Sequence, residues 1–374
     1  PMKEFPLPQA SLAELGFAPG PLAHLEHLIE QHIAEGRYPG AEIALARHGK
    51  LALFKSFGDD RIEPARRAAG GETLWLLFSN TKVLTMAAIW SLIEEGKISL
   101  NDRVADHLPE FAARGKGEIT LFQLATHQAG FPNATVSRET WADHARMRAE
   151  VCDFSLEWTP GTRVHYHGRS AHLALAMVIE AVTGRDFRHV IHDRVIAPLG
   201  LAGELFVGVP ESAQARCADI HGPAGSEVPG ENSAAFRSAG LPGSGGYGTA
   251  RAMAAFYQMM VGGGRLGEVR LFSPRLIAFV TRDFTGERGD DGMAGIAMHR
   301  GLGPHLRGTG PLIRGLGSLA HPATFGHGGV GTSYCWGDPE SGVSFAYVTN
   351  FVAPDPWHSA RLERISNLVH AAID

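Results

Sequence analysis

Phe78-Ser79-Asn80-Thr81-Lys82 places a hydroxyl and an amine three positions apart at the head of an apolar, helix-patterned run. On a helix, side chains three apart share a face, with Cβ atoms about 5–6 Å from each other. A serine hydroxyl attacks a carbonyl well only when a base takes its proton. A lysine in a partly dry pocket loses proton affinity, because burial disfavours its charged form, and can be that base. The helix amino terminus adds free N–H groups and a positive dipole end where oxyanion charge would develop. The spacing also arises often by chance, and the plainer reading is a helix cap followed by a surface lysine.

Other groupings carry less chemistry. Gly168-Arg169-Ser170-Ala171-His172 approaches the G-x-S-x-G turn of α/β-hydrolases, but His172 replaces the last glycine and no apolar strand leads into it. Pro242-Gly243-Ser244-Gly245-Gly246-Tyr247-Gly248 lacks the Gly-Lys-Ser/Thr ending of a phosphate loop, so a turn or wall near a pocket is expected. Among 19 histidines, His24-x-x-His27 and His165-x-His167 come nearest to ligand spacing. No HExxH or matching carboxylate set accompanies them, so surface or hydrogen-bonded histidines are expected, with no metal and no other cofactor. Cys152, Cys217 and Cys335 are far apart and odd in number, which excludes a closed disulfide framework, and Cys335 reads as a small buried hydrophobe.

These residues need elements to hold them. Leu22, Leu25, Leu28, Ile29 and Ile33 mark a helix over 21–35, and strands are expected at Ala41 to Ala46 and Leu51 to Phe57 around His48-Gly49-Lys50. Val83, Leu84, Ala87, Ala88 and Leu92 predict a helix over 80–95, closed by Gly96. From there to about Gly240 the pattern is largely helical with long loops. A helix at Ala250 to Met260, strands at Tyr334 to Trp336 and Val343 to Thr349, and a terminal helix from about Ser359 to Ile373 follow. Strands and helices at both ends around a helical middle predict an α/β domain from residues 1–78 and 241–374 with an inserted, mostly helical domain at 79–240. The interface between them is a natural place for a pocket.

At 374 residues the chain is long enough for about two domains. With 44% hydrophobic and 20% charged residues it has the composition of a globular protein, which argues against disorder. A net charge of −5 without a basic run leaves no electrostatic footprint for nucleic acid or an anionic membrane. The 46 glycines exceed the usual ~7% and point to many tight turns or close backbone approaches. Residues 1–6 lack a signal-like apolar core, and no window approaches the ~18 apolar residues of a membrane span, so a cytoplasmic location is expected.

In context, Trp75–Lys82, Leu92–Asp102 and Leu108-Pro109-Glu110-Phe111 resemble the serine β-lactamase-like superfamily, in which SxxK opens a buried helix. The resemblance continues through Thr120–Gly130, Trp158-Thr159-Pro160-Gly161, Tyr166-His167-Gly168, Val182-Thr183-Gly184 and Gly326–Gly331, and so covers residues from about 20 to 370. It is nearest to class C β-lactamases and family VIII carboxylesterases, in the esterase and transacylase-like branch. The resemblance implies the β-lactamase-like α/β fold, an antiparallel sheet flanked by helices.

For the site, the resemblance implies Ser79 as nucleophile, Lys82 and Tyr166 as the proton-transfer pair, and an oxyanion hole from the N–H groups of Ser79 and Val330. Gly168 stands where relatives carry an asparagine. His327-Gly328-Gly329 stands where β-lactamases carry Lys-Thr-Gly, and the two glycines let substrate lie close to the strand. The expected function is hydrolysis of a small-molecule carboxylic ester without metal. Transfer to an alcohol, an amidase, a weak β-lactamase, or a catalytically silent binding relative are the alternatives, and the oligomeric state is left open.

Overall fold

The computed structural model describes residues 4–311 and 315–374. Its main sheet has seven strands: β1 (Gly40–Arg47), β2 (Lys50–Arg61), β3 (Arg67–Ala68), β4 (His305–Leu306), β5 (Phe325–Gly329), β6 (Ser333–Asp338) and β7 (Val343–Thr349). They lie in the order β4-β5-β6-β7-β1-β2-β3, and every pair is antiparallel. The two ends of the chain meet where β1 pairs with β7, from Ala41 opposite Thr349 to Arg47 opposite Val343. The β1–β2 hairpin turns at His48 and Gly49, whose φ values of 52° and 78° match a tight turn with the strands' own twist.

β1 and β7 read as continuous apolar runs because both faces of the sheet are covered. Successive side chains on a strand alternate between faces. Ala41, Ile43, Leu45, Phe345 and Tyr347 pack with Leu25 and Ile29 of helix α1 (Pro19–Ala34) and with Leu362 and Ile365 of the terminal helix Trp357–Ala371. Ala44, Ala46, Ala346 and Val348 face the other way, into the core that contains Met253, Phe256 and Tyr257 of the helix Ala250–Val261. Glu42 also lies on that second face. Its carboxylate accepts from the N–H of Ala250, at the start of the helix, and from Ser56 Oγ, both at 2.8 Å.

Helix α2 (Thr81–Glu94) runs through the larger core and is buried on every side over its first ten residues. A helix without a polar face must be interior, and its few polar groups need partners there. They have them: Thr85 Oγ1 donates to Pro242 O at 2.7 Å, Trp90 Nε1 to Leu302 O at 2.9 Å, and Thr81 Oγ1 accepts from Gly246 N at 2.8 Å. A second, three-stranded sheet places Gly246–Gly248 between Trp75–Leu76 and Leu205–Val207. Its Trp75–Leu76 strand delivers the chain to Ser79.

Candidate active site

Leu77 N–H donates to Gly246 O at 2.8 Å, and a 3-10 turn over Phe78–Asn80 then feeds α2. Ser79 thus sits on this turn, one residue ahead of the expected helix, and α2 starts at Thr81. Phe78 has φ of 45°, a left-handed backbone that bulky residues seldom adopt. Such strain persists only where surroundings over-determine it. Here the Phe78 ring is buried among Leu74, Leu76, Phe236 and Tyr247, while Asn80 Nδ2 donates to Leu77 O and to Ser333 Oγ, each at 3.0 Å.

Lys82 lies one turn on and is fully buried, not at the surface. Its Nζ is 2.9 Å from Ser79 Oγ and 2.7 Å from Gly243 O. Burial holds its pKa below the ordinary lysine value, against the pull of Tyr166 in the opposite direction. The glycine-rich 242–248 stretch is therefore a pocket wall, as expected, and it also supplies the lysine's carbonyl partner.

Tyr166 OH donates to Ser79 Oγ at 2.9 Å, so hydroxyl, amine and phenol converge on one atom. Three consecutive amides around this tyrosine are fixed. His165 N–H donates to His127 O at 2.9 Å, Tyr166 N–H to Asp290 Oδ1 at 2.8 Å, and His167 N–H to His127 Nδ1 at 3.0 Å. An Nδ1 that accepts is unprotonated, so neutral His127 carries its proton on Nε2. Burial depresses its pKa and keeps it neutral. Asp290 also accepts from Arg300 Nη2 at 3.0 Å, and the Arg300 guanidinium sits 4.7 Å from the centre of the Tyr166 ring. Both members of this ion pair are buried.

β5 approaches the Ser79 turn because it ends in glycines. A Cβ on Gly329 would lie 2.7 Å from Leu77 O, and one on Gly328 would lie 2.9 Å from the Tyr334 ring. His327 on the same strand is buried, with Nδ1 2.9 Å from Gly328 O. Burial first, and Lys82 and Arg300 after it, push its pKa down to about 3. His327 is neutral at pH 7. Past β5 the chain turns through Val330, Gly331 and Thr332, with Thr332 N–H bonded to Gly329 O at 3.1 Å. Arg361, fully buried in the terminal helix, donates from Nη2 to Gly331 O at 2.7 Å and from Nη1 to Tyr347 OH at 3.2 Å. The terminal helix thereby grips the turn that carries Val330.

Two cavities, of about 400 and 500 Å³, meet at Ser79, Tyr166 and Val330. Asn133, next to Gly168 in the first, brings an amide from another loop beside the position where relatives carry asparagine. Ser170 is fully buried at the start of the helix Ser170–Thr183. Ser244 lines the smaller cavity. His24 and His27 are exposed on α1, whereas His165 stacks on Trp158 and His167 is buried. Among the described residues, His144, Glu180 and Asp186 bring possible ligand atoms within 4.8 Å. They form a hydrogen-bonded polar group, with His144 Nδ1 2.7 Å from Glu180 and 3.7 Å from Asp186. All three cysteines are free and buried. No helix among the described residues is long and apolar enough to cross a membrane.

Sequence reading overlooked Asp290, Arg300 and Arg361. Each reaches the site from far along the chain, so local spacing holds no trace of it. His127 lay within a segment that carried the resemblance, yet its grip on both sides of Tyr166 depends on a positive φ of 58° that its residue type does not announce.

A family model described as Beta-lactamase matches residues 25–369. The chain belongs to the β-lactamase family. Within this family it is 29% identical over 311 residues to "Esterase/beta-lactamase LipL" of Mycobacterium tuberculosis, covering 74% of this chain and 68% of that protein. It is 26% identical over 367 residues to a "Putative D-alanyl-D-alanine carboxypeptidase" of Salmonella typhimurium, covering 87% and 82%. The solved structure of a family VIII carboxylesterase superposes with a TM-score of 0.82 at 26% identity, covering 96% of this chain and 99% of that one. The β-lactamase-like fold and the serine-hydrolase class follow from these matches.

Proposed function

We propose that this β-lactamase-family protein hydrolyses carboxylic esters through an acyl-enzyme on Ser79. The observation that carries the reading is the convergence on Ser79 Oγ of a buried amine and a phenol, each at 2.9 Å. Neutral Lys82 takes the Ser79 proton on its lone pair while an N–H of the same amine stays on Gly243 O. Ser79 Oγ then adds to the ester carbonyl. The oxygen that becomes negative is held by the N–H groups of Ser79 and Val330. As the carbon–oxygen bond breaks, Tyr166 gives its proton to the leaving alkoxide and regains one from Lys82. Water repeats the sequence on the acyl-enzyme and releases the acid.

The ester preference rests on charge. A β-lactam or a peptide ending in D-alanine presents a carboxylate, and a charge-assisted contact to it is worth about 1.5–3 kcal/mol. His327 is neutral at pH 7, and Gly328 offers only backbone. Alongside Arg138 and Arg169, which share the smaller cavity with Glu227 and Glu231, a carboxypeptidase reading is favoured by the Arg300 guanidinium in the larger one. Asp290 at 3.0 Å offsets that charge, which leaves the pair with little net attraction for a carboxylate. At pH 7, kcat/KM for a short p-nitrophenyl ester is expected to exceed that for nitrocefin by at least about tenfold. Equal or faster turnover of nitrocefin overturns the esterase reading.

A further inference from the structure

The two cavities that meet at Ser79 differ in chemistry. The smaller one carries Asn133, Thr135, Arg138, Arg169, Glu227 and Glu231 on its walls. The larger, at about 500 Å³, is walled in part by Val228, Met293, Met298, Val352, Ala353 and Leu362. Arg300 and His327 line it close to Tyr166, where the guanidinium and the imidazole approach the phenol ring at 4.7 and 6.3 Å, and Ser226, Asp355, His358 and Ser359 also border it. Val330 borders both cavities, and its side chain is 59% exposed.

An ester carbonyl held at Ser79 has two substituents that must leave in different directions, one into each cavity. Apolar surface gains by entering the methionine- and valine-lined chamber, whereas a polar group entering it would give up water against a mostly apolar wall. The other chamber, where two arginines and two glutamates stand beside Trp141, Leu173 and Phe236, offers a polar group many more hydrogen-bonding partners. We infer that the substrate is an ester of opposed halves, one an extended apolar group and the other a compact group rich in hydrogen-bonding atoms. This rests on the ester-hydrolase reading above and extends it to substrate class. The linings discriminate by what enters each chamber, whether it derives from the acid or from the alcohol.

The test uses four esters followed by acid release in a pH-stat: ethyl acetate, ethyl hexanoate, hexyl acetate and hexyl hexanoate. One of the two singly extended esters is expected to exceed ethyl acetate in kcat/KM by at least about tenfold. Each methylene taken out of water contributes up to about fourfold. The other singly extended ester is expected to stay within about threefold of ethyl acetate, and hexyl hexanoate to fall below the better substrate. Val228→Asp and, independently, Met298→Asp are expected to reduce the better-substrate to ethyl acetate ratio at least fivefold. Val228 is half-buried at the start of the 3-10 turn Val228–Asn232, so its variant keeps the test valid if Met298→Asp fails to fold. Arg138→Ala, in the other chamber, is expected to preserve the ratio.

Equal gains on lengthening either half, no gain on either, or a ratio unmoved by Val228→Asp overturns the inference while leaving the esterase reading intact. Absence of any Ser79-dependent ester hydrolysis is the separate result that overturns the esterase reading itself.

Discussion

Two side chains, each 2.9 Å from Ser79 Oγ, make sense only as a unit with it. Lys82 and Tyr166 both touch Ser79 Oγ, and the Lys82 amine lies 5.2 Å from the centre of the Tyr166 ring. Lys82→Ala and Tyr166→Phe are each expected to lower kcat by at least ~10², the usual contribution of a proton-transfer partner. The double variant is expected to fall little further, because removing one member already disables the relay. Rates of the three variants on one p-nitrophenyl ester check this, and multiplicative losses would show two independent roles. The Ser79–Lys82 spacing was visible in the sequence, but alone it fitted a helix cap with a surface lysine as well, and only the flanking motifs of the resemblance raised it to a site. Tyr166 and the Val330 turn could be found only through the resemblance, since they reach the site from 87 and more residues away.

Elements decide how well those groups are aimed. The β1–β2 hairpin, α2 and the terminal helix announce themselves by alternation and helical periodicity, and the structure has them within a few residues of expectation. What periodicity cannot carry is which distant element locks which turn. Arg361 shows this: nothing in its helix distinguishes it, yet its guanidinium holds Gly331 O at 2.7 Å, one residue beyond Val330. Gly331 itself has φ of 62°, and a Cβ there would lie 2.7 Å from Val352, so the turn has little freedom to compensate. Arg361→Met is expected to lower kcat about tenfold or more with KM changed less than threefold, since displacing the Val330 amide proposed for the oxyanion would weaken the transition state more than the ground state. Arg361→Lys is expected to recover part of that loss. A purely structural role would lower the melting temperature in both variants without that split between kcat and KM.

At the scale of the whole molecule, the buried imidazoles make stability depend on acid. His127, His167, His172 and His327 are all buried, and burial lowers their pKa values, to about 3 for His167 and His327. The unfolded chain binds protons near pH 6.5 that these folded groups refuse, so the folded state is favoured above that pH and loses ground as pH falls toward 3. His167 and His327 each contribute roughly 2 kcal/mol of loss by pH 5, and His127 and His172 act in the same direction. Urea midpoints measured from pH 8 to 4.5 are expected to be level down to about 6.5 and then to fall steeply. A flat profile would mean that these histidines accept protons in place. The proposed reaction forms one covalent intermediate on the protein, and its intact mass reports that directly. Quenched during turnover of a slowly deacylated ester, the protein is expected to gain the mass of one acyl group, mapped by peptide analysis to Ser79 and lost in Ser79→Ala. An acyl group on Ser170 or Ser244, or a gain in mass that survives Ser79→Ala, contradicts it.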